Sequence, residues 1–317
     1  MHRVQALGSS GISKPEAKLS SILRGLAGLL RGWHLLSLDA PTVAASWCAA
    51  FLSAAGVSPI SAPARLSIAF LALATWLCYV GDRTQDARSA LASQNLRARH
   101  RFYGNWWRRR RSSLAGLVGT VALTCAATAM FGLKSSLLVA YVSLTLAALL
   151  YFAWVHSGRE RKTRVLAKEA AVAVIFTLGC MLPALSFAAT ELGSQLVPAG
   201  VLFAMLCWLN CVAIERWEGL GVVNAHAHAS TRWAARNLTG LLLGGALAAV
   251  ALAVWRRTGH RPAMLASLLA PCLAGAFVML ALLERWRQRL SVESLRVLAD
   301  VALLTPLAWW LAERIAH

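Results

Sequence analysis

The chain has 317 residues, a formal net charge of +19 at pH 7, 58% apolar residues and 14% charged residues. With a mean hydropathy of +0.58, it is far more apolar than a soluble domain needs. The composition predicts an all-α polytopic membrane protein.

Residues 1–37 read as a cytoplasmic tail without the apolar core and cleavage site of a signal peptide. Within it, 18-KLSSILRGLAGLLRGWHLL-36 sets Leu19, Ile22, Leu23, Leu26, Leu29 and Leu30 at helical spacing, with Lys18, Arg24 and Arg31 between them. That pattern predicts an amphipathic helix lying in the membrane interface.

Residues 38–317 read as a transmembrane domain of nine helices, since a spanning helix needs about 20 mostly apolar residues. The apolar runs fall at 39–57, 64–81, 112–132, 135–155, 166–188, 197–217, 237–256, 262–283 and 294–313. Of the 32 basic residues, 26 lie in the tail, in the loops after even-numbered spans or at the span ends that border those loops. The positive-inside rule then puts the N-terminus in the cytoplasm, and an odd span count puts the C-terminus on the opposite side. A bacterial inner membrane is the default location.

Most of the positive charge is therefore topological. The run 106-WWRRRR-111 reads as an interfacial anchor before the third span rather than a nucleic-acid surface. Seven cysteines are scattered through apolar runs with no CxxC pair, so neither a disulfide framework nor a zinc knuckle is expected. His226 and His228 in 224-NAHAHAS-230 would diverge on a helix and read as part of a cytoplasmic loop.

Acids are scarce, thirteen in all, and four of them form two pairs. Asp82 and Asp86 follow the second span in 79-YVGDRTQDAR-88. Glu215 and Glu218 end the sixth in 209-LNCVAIERWEGL-220. Each pair opens with an acid followed by arginine. Acids spaced three or four apart project from one helix face, where they repel unless protonated or bridged by a cation. Hard oxygen ligands suit Mg2+, which in turn takes phosphate oxygens. Asn210 is an amide inside an apolar span, a costly position that points to a cavity or a neighbouring helix. Tyr79 reads either as a cavity residue or as an interfacial anchor.

In these motifs the sequence resembles the UbiA superfamily of intramembrane prenyltransferases. The segment 78-CYVGDRTQD-86 is similar to the second half of that family's first Asp-rich motif, with Cys78 and Tyr79 in place of Asn and Asp. The segment 215-ERWE-218 is similar to the second motif, with glutamates for aspartates and one residue fewer between them. The start 38-LDAP-41 resembles the family's entry to its first helix. The resemblance implies nine helices around a central cavity open toward lipid. It implies Mg2+ held by Asp82, Asp86, Glu215 and Glu218. It also implies a prenyl diphosphate bound by Arg83, Arg164 and Lys168, and a lipid-soluble acceptor in a cavity that includes Tyr79 and Asn210. The implied partners are these two substrates and membrane lipids, with no nucleic acid. A non-catalytic lipid-binding or scaffold protein of the same fold is the alternative. A transporter would place charges near the middle of several spans, whereas the acid pairs here lie at span ends.

Overall fold

The computed structural model describes residues 25, 28–90, 98–156, 167–188, 190–219, 227–258 and 264–316. All regular structure among the described residues is helical. A short α1 (Gly28–Leu35) leads into α2 (Asp39–Ala54), α3 (Ala62–Ala90), α4 (Ala98–Arg109), α5 (Arg111–Gly132) and α6 (Ser135–His156). Then come α7 (Lys168–Phe187), α8 (Thr190–Glu218), a short α9 (Ala229–Arg236) and α10 (Leu238–Thr258). The chain closes with α11 (Met264–Trp286), α12 (Val292–Ala302) and α13 (Thr305–Ala316). Residues 18–24, 26 and 27 of the expected amphipathic helix lie outside the described residues.

Among the described residues, six helices, α3, α5, α7, α8, α10 and α11, are long and apolar enough to cross a membrane. The chain is an integral membrane protein built from helices. The pairs α1–α2 and α12–α13 pass the same test only together, bent by 89° and 60°. α6 is apolar over a shorter stretch, Ser135–Tyr151. The structure thus departs from a continuous span at 294–313, whereas at 39–57 it has one short unbroken helix, α2, with the bend just before it. At 294–313 the cause is Pro306 in the first turn of α13. Proline has no N–H to give and its ring clashes with the preceding turn, so the helix stops and restarts. Thr305 helps the restart by donating its hydroxyl to the Cys272 carbonyl at 2.9 Å.

The bend before α2 is a Schellman turn. The Leu38 N–H donates to the Trp33 carbonyl (3.0 Å) and the Ser37 N–H to the His34 carbonyl (3.1 Å). Ser37 sits there at φ 57, in the left-handed region. α2 ends with the same motif, but with Gly56 at φ 73 in the left-handed position. Glycine carries no steric penalty in that region and serine does. The Ser37 hydroxyl compensates by pairing with the Tyr103 hydroxyl at 2.7 Å. Burial pushes the Tyr103 phenol up, so it stays a neutral hydrogen-bonding group. α4 thereby holds the entry to α2. It is anchored in turn by the aromatic ring contacts of Phe102, Tyr103 and Trp106, which pack with Trp76, Val80 and Leu114 of α3 and α5.

α2 runs through the centre of the main core. Trp47 stacks on Phe203 of α8 at 4.3 Å between ring centroids, and Phe51 meets the same ring edge-on at 5.8 Å. The Trp47 indole donates to the Leu303 carbonyl at 2.7 Å. That carbonyl lies at the α12–α13 break, where the helix ladder ends, so the core supplies the donor that the ladder does not. Small residues set the helix spacing. At Gly245 of α10 an added Cβ would lie 2.6 Å from the Phe277 ring of α11, so this pair packs closer than any side chain at 245 permits.

Candidate functional site

Four elements converge on one buried polar cluster. His34 ends α1, Asp39 opens α2, Arg83 lies in α3 and Asp300 in α12. His34, Asp39 and Arg83 are buried, with Asp39 2% exposed and Arg83 5% exposed, and Asp300 is partly buried. The Arg83 guanidinium donates to Asp39 Oδ2 at 3.0 Å and to the His34 carbonyl at 2.9 Å. His34 Nδ1 stands 2.8 Å from Asp39 Oδ2 and 3.4 Å from Asp300 Oδ2. The other Asp39 oxygen accepts the Ala40 N–H at 3.0 Å. Two carboxylates therefore face one permanent cation and one imidazole, and a protonated imidazole makes the set neutral. Among the described residues, His34, Asp39 and Asp300 are the one group of three with ligating atoms close enough to share a metal ion. Arg83 already occupies Asp39 Oδ2, which favours the charge cluster over a metal centre at that position.

A cavity of about 140 Å³ adjoins the cluster, lined by Asp39, Arg83 and Asp300 together with Tyr79, Phe176, Cys207, Asn210, Cys211 and Ile214. Of the residues singled out from the sequence, the structure brings together Tyr79, Arg83 and Asn210 here. Arg83 lies 5.7 Å from the centre of the Tyr79 ring, one turn away on α3. Asn210 is buried and its side-chain carbonyl has no hydrogen-bond partner among the described residues. An unpaired buried acceptor costs roughly 1–3 kcal/mol, so Asn210 presents an unmet demand for a donor to this cavity.

The acid motifs lie on the same two helices. Asp82 is exposed. Asp86 falls within α3, but its side chain is outside the described residues, as is Arg164. Glu215 is half-buried on α8, within hydrogen-bonding reach of Glu169 at the start of α7. Glu169 Oε2 also accepts the Thr231 hydroxyl at 3.0 Å. Its partners are thus Thr231 and Glu215, and its neighbour Lys168 is exposed. Glu218 forms an ion pair with Arg296 of α12. Asp82, Glu215 and Glu218 do not converge on one point among the described residues. The oxygen donors still suit a hard cation. Glu169 and Glu215 are two carboxyls held against each other, an arrangement that calls for a proton or a cation between them.

His34, Asp300 and Glu284 were not singled out by the sequence reading. Glu284 of α11 is buried and accepts from the Trp217 indole (2.7 Å) and from Arg287 (2.7 Å), with Arg216 at 3.4 Å. The available signal was an ionisable residue inside an apolar run, which marks a functional or paired position by default. Asp300 within 294–313 carried that signal, and so did Arg296. His228 takes a structural role, its Nδ1 accepting the Ser230 N–H at 3.2 Å as the N-cap of α9, while His226 lies outside the described residues. No family model, no curated protein and no solved structure matches the chain.

Proposed function

We propose that the chain is a UbiA-like, Mg2+-dependent prenyltransferase working inside the membrane, moving a prenyl group from a prenyl diphosphate to a lipid-soluble acceptor. The observation that carries this reading is the cavity. Tyr79 and Arg83 of α3 and Asn210 of α8 line it, on the two helices that continue into the acid pairs. A nine-span count supports the reading if α6 and each bent pair are taken as one crossing. The basic loops support a cytoplasmic N-terminus and an opposite C-terminus, and a bacterial inner membrane is the default location.

Asp82, Asp86, Glu215 and Glu218 would hold Mg2+, with Glu169 beside Glu215 and with Glu218 exchanging Arg296 for the cation. When bound, the cation neutralises the diphosphate as its bond to carbon ionises. Arg83, Arg164 and Lys168 donate charge-assisted hydrogen bonds to the diphosphate oxygens. Tyr79 and Phe176 turn aromatic rings toward the allylic cation, and the apolar walls keep water from quenching it. Asn210 accepts a hydrogen bond from the acceptor and orients it. A space of about 140 Å³ matches the roughly 150 Å³ that takes one benzene ring. It therefore admits the reacting end of a substrate and leaves the remainder of the chain in lipid.

The test is binding of prenyl diphosphates of graded length to the purified protein, with Mg2+ and with chelator, beside Asp82→Ala and Glu215→Ala. Binding that requires Mg2+ and is lost in both variants is the expected result. No binding under any condition overturns the reading. It would favour a non-catalytic lipid-binding or scaffold protein, a second reading supported by the ion pairs that already engage Arg83 and Glu218.

A further inference from the structure

A second charged region lies outside the cavity, where α8 ends and the α10–α11 pair begins and closes. Two open clefts meet there at Thr239. The first, about 500 Å³, is lined by Arg216, Trp233, Arg236 and the first turn of α10. The second, about 540 Å³, is lined by Thr239, Leu243, Val278, Leu282, Arg285 and Arg287. Arg216 and Arg287 both contact Glu284 and so lie on either side of one carboxylate. Arg236 and Arg285 are exposed and form no ion pair among the described residues. Two guanidinium groups thus flank Glu284, and two more, Arg236 and Arg285, line the clefts that share Thr239.

The surface below these arginines is apolar and uncovered. Leu243 is 50% exposed and Leu247, one turn further along α10, is 70% exposed. Gly240 and Gly244 flank them with open space where a side chain would stand, which leaves a groove along the helix. No acid lies in the first turn of α10 to offset the positive end of its dipole. A cationic rim joined to an apolar groove, with Trp233 exposed beside it, matches one kind of molecule. That molecule has a phosphate-bearing head and an acyl tail. A soluble anion would use the rim and leave the groove empty.

We propose that this region is a specific binding site for an anionic phospholipid, with the headgroup phosphate held by Arg236 and Arg285 and an acyl chain lying along Leu243 and Leu247. The site is independent of the prenyltransferase reading and shares no residue with the cavity.

The test is lipid titration of the full-length protein in neutral phosphatidylcholine nanodiscs, read by native mass spectrometry. Phosphatidylglycerol is added alone or with excess glycerol phosphate. The expected result is a preference for phosphatidylglycerol over added phosphatidylcholine that glycerol phosphate does not remove. Arg236→Gln/Arg285→Gln lowers that preference by about five-fold per arginine. Both residues lie outside the buried ion pairs, so this variant folds. Arg109→Gln/Arg110→Gln, on an exposed basic surface of α4 and the residue after it, keeps the preference. Equal binding of the two lipids overturns the proposal, as does competition by glycerol phosphate. Equal loss in the α4 control overturns it as well, since it would show attraction to positive charge in general.

Discussion

Asp82–Arg83 and Glu215–Arg216 look alike in the sequence, yet the shared feature of their surroundings belongs to the arginines. Arg83 reaches Asp39 on α2 and the His34 carbonyl at the end of α1. Arg216 reaches Glu284 on α11 and the Ala235 carbonyl at the end of α9. In both places an arginine near the end of a long helix pairs with a distant carboxylate. It also caps the last turn of a short helix that leads into a longer one. The last carbonyls of a helix lack internal donors and carry partial negative charge, so a guanidinium satisfies both needs. The acids of the two motifs have no such common setting. Asp82 is exposed, whereas Glu215 is half-buried against Glu169. The parallel between the motifs is thus architectural at the arginines, and any shared chemistry rests on the acids.

The two clasps differ in depth, and that difference orders the expected effects of breaking them. Arg83→Met takes the permanent cation from the buried Asp39 carboxylate, leaving it His34, and removes the α1 cap. Loss of one partner from a buried pair costs about 3–5 kcal/mol. Denaturant unfolding in micelles should register that loss, and Asp39→Asn/Arg83→Met together should recover much of it. If the double variant is no better than the single one, Arg83 acts through packing rather than charge.

On the other side, Glu284→Gln leaves Arg216 and Arg287 without their carboxylate but keeps an acceptor for the Trp217 indole. Arg216 and Arg287 retain some access to water, with side chains 18% and 29% exposed. The expected loss is smaller, about 2 kcal/mol, in the range of charge-assisted hydrogen bonds. The same unfolding measurement checks it. A loss as large as that of Arg83→Met would make the two clasps equivalent.

Tyr103→Phe tests the bend that positions His34 and Asp39. It removes the hydroxyl that supports the left-handed Ser37, at a cost of about 1 kcal/mol. Adding Ser37→Gly should relieve the strain and restore part of the loss, since glycine adopts that conformation freely. The pair is compared by melting temperature in one detergent.

The smallest stability effect belongs to Asp82→Asn, within about 0.5 kcal/mol, as for other exposed substitutions. Under the proposed function this silent change should still lower Mg2+-dependent prenyl diphosphate binding at least about tenfold, through loss of a hard ligand. Wild-type affinity in Asp82→Asn would confine the importance of the first motif to its arginine.

Much of the architecture was legible in the composition. Runs of apolar residues with the length of a bilayer crossing leave the backbone few choices other than helix. For the same reason, six of the nine apolar runs correspond, among the described residues, to single helices long and apolar enough to cross a membrane. The acid pairs were legible as well, because carboxylates are rare in this chain and their spacing is local. The break at Pro306 was legible in principle, though the apolar residues on both sides masked it.

What tertiary structure alone decided was which charges meet. Asp39 and Arg83 are 44 positions apart and Arg216 and Glu284 are 68 apart. Nothing in their local sequence names the partner. Pairing depends on the direction in which each helix leaves its turn, and those directions come from the Ser37 bend, the α12–α13 break and the close approach at Gly245. The core can bury an arginine only where a carboxylate from another helix arrives at the same depth. That coincidence is a property of the packed bundle rather than of any segment within it.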